Sequence, residues 1–332
     1  MKKIYLLTIS ILIIFSPIFT ESNNIKTGLV LSGGGVKGLA HLGTLYLIDS
    51  LNIPIDYVAG TSIGGITGGL YASGYSPEEI EYICYNSKWD EIFTQNRSRN
   101  NLYYFQKKDV ENFQLSFILN NFKPTPPIAL SSGQYSFEYL TELFGVYDNI
   151  LNFDNMKIPF RCNATNILTG EEIIFKSGSI SKALRASTSI PTVFSPVEYS
   201  GSLLVDGGVV NNLPTNLVKN MGADFTIGVN LSSKNSNEVV DIFDMLQKSI
   251  GLYGMKNSKK NAQDLNILIS PDLPSVNIIN FENSIMKDLQ KRGEKEAHNK
   301  IKLLLNLKEK LIINNDFMKF SGLKDTFKIN SV

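Results

Sequence analysis

IDYVAGTSIGG, residues 55–65, carries a serine with a glycine two positions away on either side, directly after an apolar, strand-like run. This spacing suits an ordinary tight turn. It also suits a nucleophile elbow, a sharp turn from a strand into a helix that leaves the serine hydroxyl accessible. Because glycine-rich chains contain G-x-S-x-G by chance, the rest of the sequence must decide what Gly60, Ser62 and Gly64 form.

Strands and helices alternate on both sides of this segment. The predicted strands are TGLVLS (27–32), IDYVAG (55–60), SLLVDGG (202–208), ADFTIGVNL (223–231) and the paired IPFRCNATN (158–166) and EEIIFKSG (171–178). The predicted helices cover 36–51, 62–73, 76–86, 179–187 and 284–314. The alternation predicts an α/β fold with a central, mostly parallel sheet that helices cover on both faces.

Three glycine-rich turns follow predicted strands, at 33–38, 60–64 and 206–208. In open α/β sheets, ligands bind outside the carboxyl ends of the strands. The three turns are therefore predicted to form one site.

The first of these turns, SGGGVKG (32–38), matches G-x-G-x-x-G. A dinucleotide site would need an acid at the end of the second strand, whereas Asp56 lies at its start. A phosphate-binding P-loop would need a hydroxyl residue after Lys37, where the chain has Gly38. The loop suits capture of another anion at the start of a helix. The N–H groups predicted to bind an oxyanion are those of Gly33, Gly34 and Gly35. Lys37 either biases the local field or is a solvated helix residue.

A serine nucleophile needs a base to take its proton, and the chain has two histidines. Ser62, Asp206 and His298 follow the chain order of an α/β-hydrolase triad, but His298 is predicted on the charged flank of an amphipathic helix. His41 is predicted to pack inside the first helix. Asp206 ends a strand before two glycines, and an aspartate bonded directly to a serine can act as the base in a desolvated site. A simple D-G turn is the alternative at this position.

Composition restricts partners and cofactors. The 332 residues carry a net charge of +1, which gives no electrostatic case for binding nucleic acid. Cys84 and Cys162 are too few for a disulfide scaffold and fit no metal-ligand spacing, so they form one bridge or none. No metal and no other cofactor is predicted.

The first residues are typical of an export signal. Lys2 and Lys3 precede an apolar stretch, 4–14, that is shorter than the about 20 residues a membrane span needs. Residues 1–22 are predicted to be a signal peptide, with an uncleaved anchor as the alternative. The protein is therefore expected to be exported, whether periplasmic, envelope-associated or secreted.

Four motifs in one order make the chain resemble the patatin-like phospholipase family. They are GGGVKG (33–38), GTSIG (60–64), LRASTSIPTVFSPV (184–197) and DGG (206–208). The resemblance implies a three-layer α/β/α fold and a lipid acyl hydrolase with a Ser–Asp dyad and no metal. It implies Ser62 as the nucleophile and Asp206 as the general base. The positions that support these motifs are Lys37, Gly38, Gly60, Gly64, Gly207 and Gly208.

We expect a catalytic core at 26–230 and a C-terminal helical extension at 231–332 that completes the same domain. The predicted partners are a lipid substrate and a membrane surface, and the oligomeric state is left open. Two other functions also stay open: a Ser-His-Asp esterase that uses His298, and a catalytically silent envelope protein that binds lipid.

Residues 92–130 interrupt the pattern of the core. The basic and aromatic side chains in this segment are Arg97, Arg99, Lys107, Lys108, Tyr103, Tyr104 and Phe105. Such a mixture suits the interface between water and lipid. Alternatively, the aromatic residues belong to the core of an additional strand pair.

Overall fold

The computed structural model describes residues 25–94, 118–120, 123–125, 129–148, 151–232 and 242–323. The chain divides into two units. One, Lys26–Lys308, contains the sheet and every predicted site residue, and the other joins Met1–Ile25 to Glu309–Val332. The predicted signal peptide and the basic and aromatic side chains at 97–108 lie outside the described residues.

Ten strands and ten α-helices occur among the described residues. The strands are β1 (Thr27–Leu31), β2 (Tyr57–Thr61), β3 (Ile118–Asn120), β4 (Lys123–Thr125), β5 (Phe160–Asn166), β6 (Glu172–Phe175), β7 (Val197–Tyr199), β8 (Ser202–Asp206), β9 (Phe225–Val229) and β10 (Ile267–Ile269). The helices are α1 (His41–Ser50), α2 (Ile63–Ser73), α3 (Pro77–Asn86), α4 (Trp89–Thr94), α5 (Gln134–Phe144), α6 (Ile180–Ser187), α7 (Thr215–Met221), α8 (Ile242–Gln263), α9 (Asn283–Asn299) and α10 (Ile301–Leu323).

Eight strands form one sheet in the order β10-β9-β1-β2-β5-β8-β7, with β6 also paired to β5. All pairings from β10 to β5 are parallel. The pairings of β5 with β6, β5 with β8 and β7 with β8 are antiparallel. The predicted α/β fold with a mostly parallel sheet is confirmed, as is the pairing of 158–166 with 171–178.

The central strands are buried because helices cover them. β1 is buried at every residue. Val30 and Ala59, from adjacent strands, pack against Leu213, Leu217 and Val218 in and before α7. A sheet covered on both faces has strands that are continuous apolar runs, which is why the sequence predicts β1 and β9 so directly.

The register of β5 brings the ends of β2 and β8 together. Thr61, the last residue of β2, pairs with Asn163, and Asp206, the last residue of β8, pairs with Ala164. β2 runs parallel to β5 and ends opposite Asn163. β8 runs antiparallel to β5 and ends opposite the next residue, Ala164. The three glycine-rich turns are neighbours as predicted, but the strand of Asp206 reaches the site against the direction of the other two.

The predicted helix at 284–314 is interrupted and forms α9 and α10. Lys300, with φ −98° and ψ 2°, ends α9. Asn299 is a poor helix former, and its side chain donates a hydrogen bond to Glu296 Oε2 at 3.0 Å.

Two glycines allow α9 to pack closely on α1 and the turn before it. A Cβ at Gly293 would lie 2.2 Å from the Ala40 carbonyl oxygen, and a Cβ at Gly43 would lie 2.3 Å from the Glu294 nitrogen. The backbones of the two segments are therefore in contact, and α9 is part of the packed unit that holds the sheet.

Within the described ranges, no helix combines the length and the apolar character needed to cross a membrane. Cys84 and Cys162 are both unbridged. The structure thus favours unpaired thiols over the single bridge that the sequence left open.

Gly293→Ala is expected to lower the free energy of unfolding by about 2 kcal/mol, because the new Cβ would overlap the backbone before α1. The better helix propensity of alanine offsets at most about 1 kcal/mol of this. Urea unfolding measures the change. Lys295→Ala, at an exposed position of the same helix, is the control and should change the value by less than about 0.5 kcal/mol. Equal effects in the two variants would contradict the close packing.

Candidate active site

Ser62 has a backbone conformation that residues other than glycine rarely adopt. Its φ of 55° and ψ of −127° occur between the end of β2 and the first residue of α2. Such a conformation costs on the order of 1–3 kcal/mol and persists only when neighbouring contacts hold it. One of these contacts is the bond from the Ser62 N–H to Ser187 Oγ at 2.9 Å. The turn is therefore a sharp strand-to-helix elbow.

The two glycines of GTSIG are needed for close packing. A Cβ at Gly60 would lie 2.1 Å from the Gly64 carbonyl oxygen, and a Cβ at Gly64 would lie 2.3 Å from the Leu31 carbonyl oxygen. Side chains at these positions would push the two arms of the elbow away from each other and from β1. The glycine spacing around Ser62 thus follows from backbone contacts at the carboxyl ends of β1 and β2.

Ser62 and Asp206 are in direct contact. Ser62 Oγ donates a hydrogen bond to Asp206 Oδ2 at 2.6 Å, and the Gly208 N–H donates to Oδ1 at 2.7 Å. Both side chains are buried, with 6% and 7% of their residues' surfaces exposed. The two oxygens of the carboxylate are thus held by the serine and by the backbone of the following turn.

Burial raises the pKa of Asp206 to about 6, and the hydrogen bonds from Ser62 and Gly208 limit the rise. Both donors are neutral, so they stabilise the charged carboxylate less than a cation would. A carboxylate whose pKa lies near neutrality is suited to accept a proton from a serine hydroxyl and to return it.

The two histidines lie elsewhere. His298 is exposed on α9, as predicted. His41 is fully buried, its Nε2 lies 2.9 Å from the Ser32 carbonyl oxygen, and burial lowers its pKa to about 4. Neither histidine contacts the Asp206 carboxylate, whose oxygens are taken by other groups.

The glycine loop after β1 lies against the elbow. A Cβ at Gly33 would lie 3.0 Å from Ser62 Cβ, and a Cβ at Gly38 would lie 2.5 Å from Ile63 Cγ1. Gly35, with φ 56°, begins the 3-10 helix Gly35–Ala40. The loop glycines thus allow the elbow and the start of the next helix to approach each other closely.

The three predicted oxyanion donors differ in their surroundings. The Gly33 N–H donates to the Asn212 carbonyl oxygen at 3.3 Å, and Asn212 Nδ2 donates back to the Gly33 carbonyl oxygen at 3.2 Å. The described residues provide no acceptor for the N–H groups of Gly34 and Gly35. Lys37 is half-buried in the 3-10 helix.

The glycines after Asp206 also permit close approach. A Cβ at Gly207 would lie 2.6 Å from the Asn163 carbonyl oxygen, and a Cβ at Gly208 would lie 2.7 Å from Asn212 Oδ1. The turn that carries the carboxylate therefore packs against β5 and against Asn212, which is hydrogen-bonded to Gly33 of the glycine loop.

The motif at 184–197 accepts hydrogen bonds from the backbone N–H groups of both Ser62 and Asp206. Ser187 Oγ accepts the Ser62 N–H, and the Ser189 carbonyl oxygen accepts the Asp206 N–H at 2.9 Å. Arg185 is buried and donates to the carbonyl oxygens of residues 132, 133 and 195 at 3.0–3.1 Å. In the sequence this segment stands out only through the family resemblance, and the structure shows which contacts it makes.

A polar network that sequence analysis missed lies beneath the dyad. Glu172 Oε1 accepts hydrogen bonds from Asn163 Nδ2 and Asn211 Nδ2, each at 2.8 Å. The Asn211 carbonyl oxygen accepts from Thr61 Oγ1 at 3.0 Å. The network joins the end of β2, the middle of β5 and the start of β6 to the turn after Asp206. The asparagine pair in VVNNLP (209–214) was its only signal in the sequence.

A buried serine on a strained elbow, bonded to a buried carboxylate, defines a serine-hydrolase type of site in an α/β fold. Comparison with known proteins names the family. The profile of the family described as patatin-like phospholipase matches residues 29–219. The chain belongs to this family.

Curated relatives include lysophospholipase NTE1 from Meyerozyma guilliermondii, 31% identical over 227 residues, which are 68% of this chain and 14% of the relative. Lysophospholipase NTE1 from Saccharomyces cerevisiae is 29% identical over 66% of this chain and 12% of the relative. The match thus spans about one seventh of the length of such relatives. The solved structure of VipD from Legionella pneumophila aligns with a TM-score of 0.46 at 14% identity, over 84% of this chain and 67% of that chain.

Because the Asp206 carboxyl is buried, the difference in free energy of unfolding between wild type and Asp206→Asn is expected to depend on pH. The folded state holds the Asp206 proton more tightly than the unfolded chain, since the pKa rises from 3.8 to about 6. This contribution to stability is complete below pH 4 and is lost as the pH rises through 6. The asparagine variant should therefore gain about 2 kcal/mol relative to wild type between pH 4 and pH 8.

Urea unfolding at the two pH values checks this difference. Asp272→Asn, at an exposed position, is the control and should show no comparable gain. If the gain of Asp206→Asn were no larger than that of the control, the pKa of Asp206 would not be raised.

Proposed function

We propose that this protein is a serine lipid acyl hydrolase of the phospholipase A or lysophospholipase type. The observation that carries the proposal is the 2.6 Å hydrogen bond from Ser62 Oγ to Asp206 Oδ2 on the strained elbow. Family membership and the similarity to fungal proteins named lysophospholipase support lipid esters as the substrate class.

Ser62 is the nucleophile and Asp206 is the general base. Asp206 accepts the hydroxyl proton while Ser62 Oγ attacks the ester carbonyl carbon, which forms a tetrahedral oxyanion. The N–H groups of Gly34 and Gly35 stabilise this oxyanion, and the Gly33 N–H holds the loop through Asn212. Asp206 then returns the proton to the leaving alcohol, which leaves an acyl ester on Ser62. Asp206 then takes a proton from a water molecule, whose oxygen attacks the acyl carbon; the bond to Ser62 Oγ breaks, Asp206 returns the proton to Oγ, and the fatty acid leaves.

The proposal extends to the surroundings of the enzyme. Residues 1–22 direct it out of the cytoplasm, to the periplasm, the envelope or the exterior, and its lipid substrate is reached at a membrane surface. Residues 26–230 are the catalytic core, and the part of the predicted extension from 231 to Lys308 completes the same unit. The packing of Gly293 against Ala40 supports the last point.

Ser62→Ala is expected to lower kcat/KM for a lysophospholipid by at least about 1,000-fold, because the attacking atom is removed. Its melting temperature should stay within a few degrees of wild type. Ser73→Ala, which removes another buried serine hydroxyl, bonded to the Gly69 carbonyl oxygen, is the control and should keep activity. A fluorophosphonate should label Ser62 alone. Full activity of Ser62→Ala, or binding of lipid without hydrolysis by wild type, would overturn the proposal.

The activity should depend on the ionisation of Asp206. Because only the carboxylate can take the serine proton, kcat/KM for an uncharged short-chain ester should fall about tenfold per pH unit below the pKa of about 6. Asp206→Asn should be inactive at every pH. His298→Ala should keep the wild-type profile, and a folded but inactive His298→Ala would replace the dyad with a triad.

A further inference from the structure

One face of α8 packs against the turn that follows β8. A Cβ at Gly254 would lie 2.1 Å from the Gly208 carbonyl oxygen. Asn257 Nδ2 donates a hydrogen bond to the Val210 carbonyl oxygen at 2.8 Å. The helix backbone therefore lies directly on the turn whose amide holds the catalytic carboxylate.

The opposite face of α8 combines apolar and basic side chains. Leu252 and Tyr253 are 66% and 60% exposed, and Lys256, Lys259 and Lys260 are also exposed. At about 100° per residue, these five side chains fall within an arc of about 120°. We call this set the lysine face. The sequence from 252 to 263 contains no aspartate or glutamate.

We propose that the lysine face binds the surface of an anionic lipid bilayer and so places the catalytic turn at the membrane. This inference rests on the proposed lipid hydrolase function. A tyrosine at the headgroup level and lysines near anionic headgroups are favourable at a bilayer surface. Leu252 lies two residues and Tyr253 one residue before Gly254, so apolar contact with lipid occurs next to the Gly208 turn.

The position and chemistry of the lysine face favour a bilayer. The whole chain carries only +1, so attraction to an anionic surface depends on a local cluster. Lys256 to Lys260 span about 6 Å of helix, less than the screening length of about 8 Å at physiological salt, so their fields add. Two adjacent exposed apolar side chains add contact area that a purely polar polyanion would not use.

Vesicle sedimentation of the full chain tests the proposal, with Ser62→Ala as the background so that no lipid is consumed. This protein should bind vesicles of equal phosphatidylglycerol and phosphatidylcholine more tightly than pure phosphatidylcholine, and added salt should weaken the binding. Each lysine is worth roughly fivefold in affinity near such a surface. The triple change K256Q/K259Q/K260Q should therefore weaken binding by roughly 100-fold.

The control variant removes the same number of positive charges from another helix. Lys287, Lys291 and Lys295 are exposed on α9, and K287Q/K291Q/K295Q should weaken binding by less than about tenfold. For the apolar part, L252S/Y253S should weaken binding to both vesicle types, whereas L303S/L305S, at exposed positions of α10, should not. The melting temperature of each variant shows that it is folded.

Hydrolysis of a short soluble ester, measured with Ser62 present, separates this inference from the proposed function. K256Q/K259Q/K260Q should hydrolyse that ester at the wild-type rate. If wild type hydrolyses no ester yet binds vesicles through the lysine face, the proposed function fails, and of the inference only the membrane contact remains. Equal weakening by the two triple variants overturns the inference. So does binding to polyglutamate without binding to vesicles, which would indicate an acidic protein partner.

Discussion

The hydrogen bond between Ser62 and Asp206 joins residues 144 positions apart, and the rest of the structure is arranged around it. It forms because β5 pairs with β2 as far as Asn163 and with β8 from Ala164. A shift of either strand by one residue would turn its side chains to the other face of the sheet. The register of one central strand thus decides whether the two groups meet.

Keeping a carboxylate buried and a serine strained costs stability, and the surrounding contacts offset that cost. The backbone of the 184–197 segment and the side chain of Ser187 hold both residues through their N–H groups. Glu172 and its asparagine partners join β5 and β6 to the turn after Asp206. Because these contacts come from separate elements, Asp206 keeps its position while its pKa stays near 6, in the range that proton transfer from a serine requires.

Much of this fold could be predicted because its signals are local. Apolar runs predicted β1, β2 and β9, and glycines around Ser62 predicted a tight approach that the structure assigns to the Gly64 and Leu31 carbonyl oxygens. Features that depend on residues far apart in the sequence were harder to predict. The antiparallel direction of β8 left no mark in its own sequence, and the break at Lys300 within a continuous amphipathic pattern was missed. In the sequence, Glu172 cannot be told from an exposed strand residue. Only the structure shows that its carboxylate accepts hydrogen bonds from Asn163 and Asn211.

By itself the sequence determined the strands and helices on either side of Ser62, the glycine-lined turns and the candidate nucleophile, since each depends on nearby side chains and backbone freedom. Tertiary structure alone decided that Asp206 rather than a histidine contacts Ser62, that the Gly33 N–H is already bonded to Asn212, and that α8 rests on the Gly208 turn. The physical reason is that hydrogen bonds and close packing act over a few ångströms in space. Residues far apart in the chain reach that range only when the whole sheet has assembled.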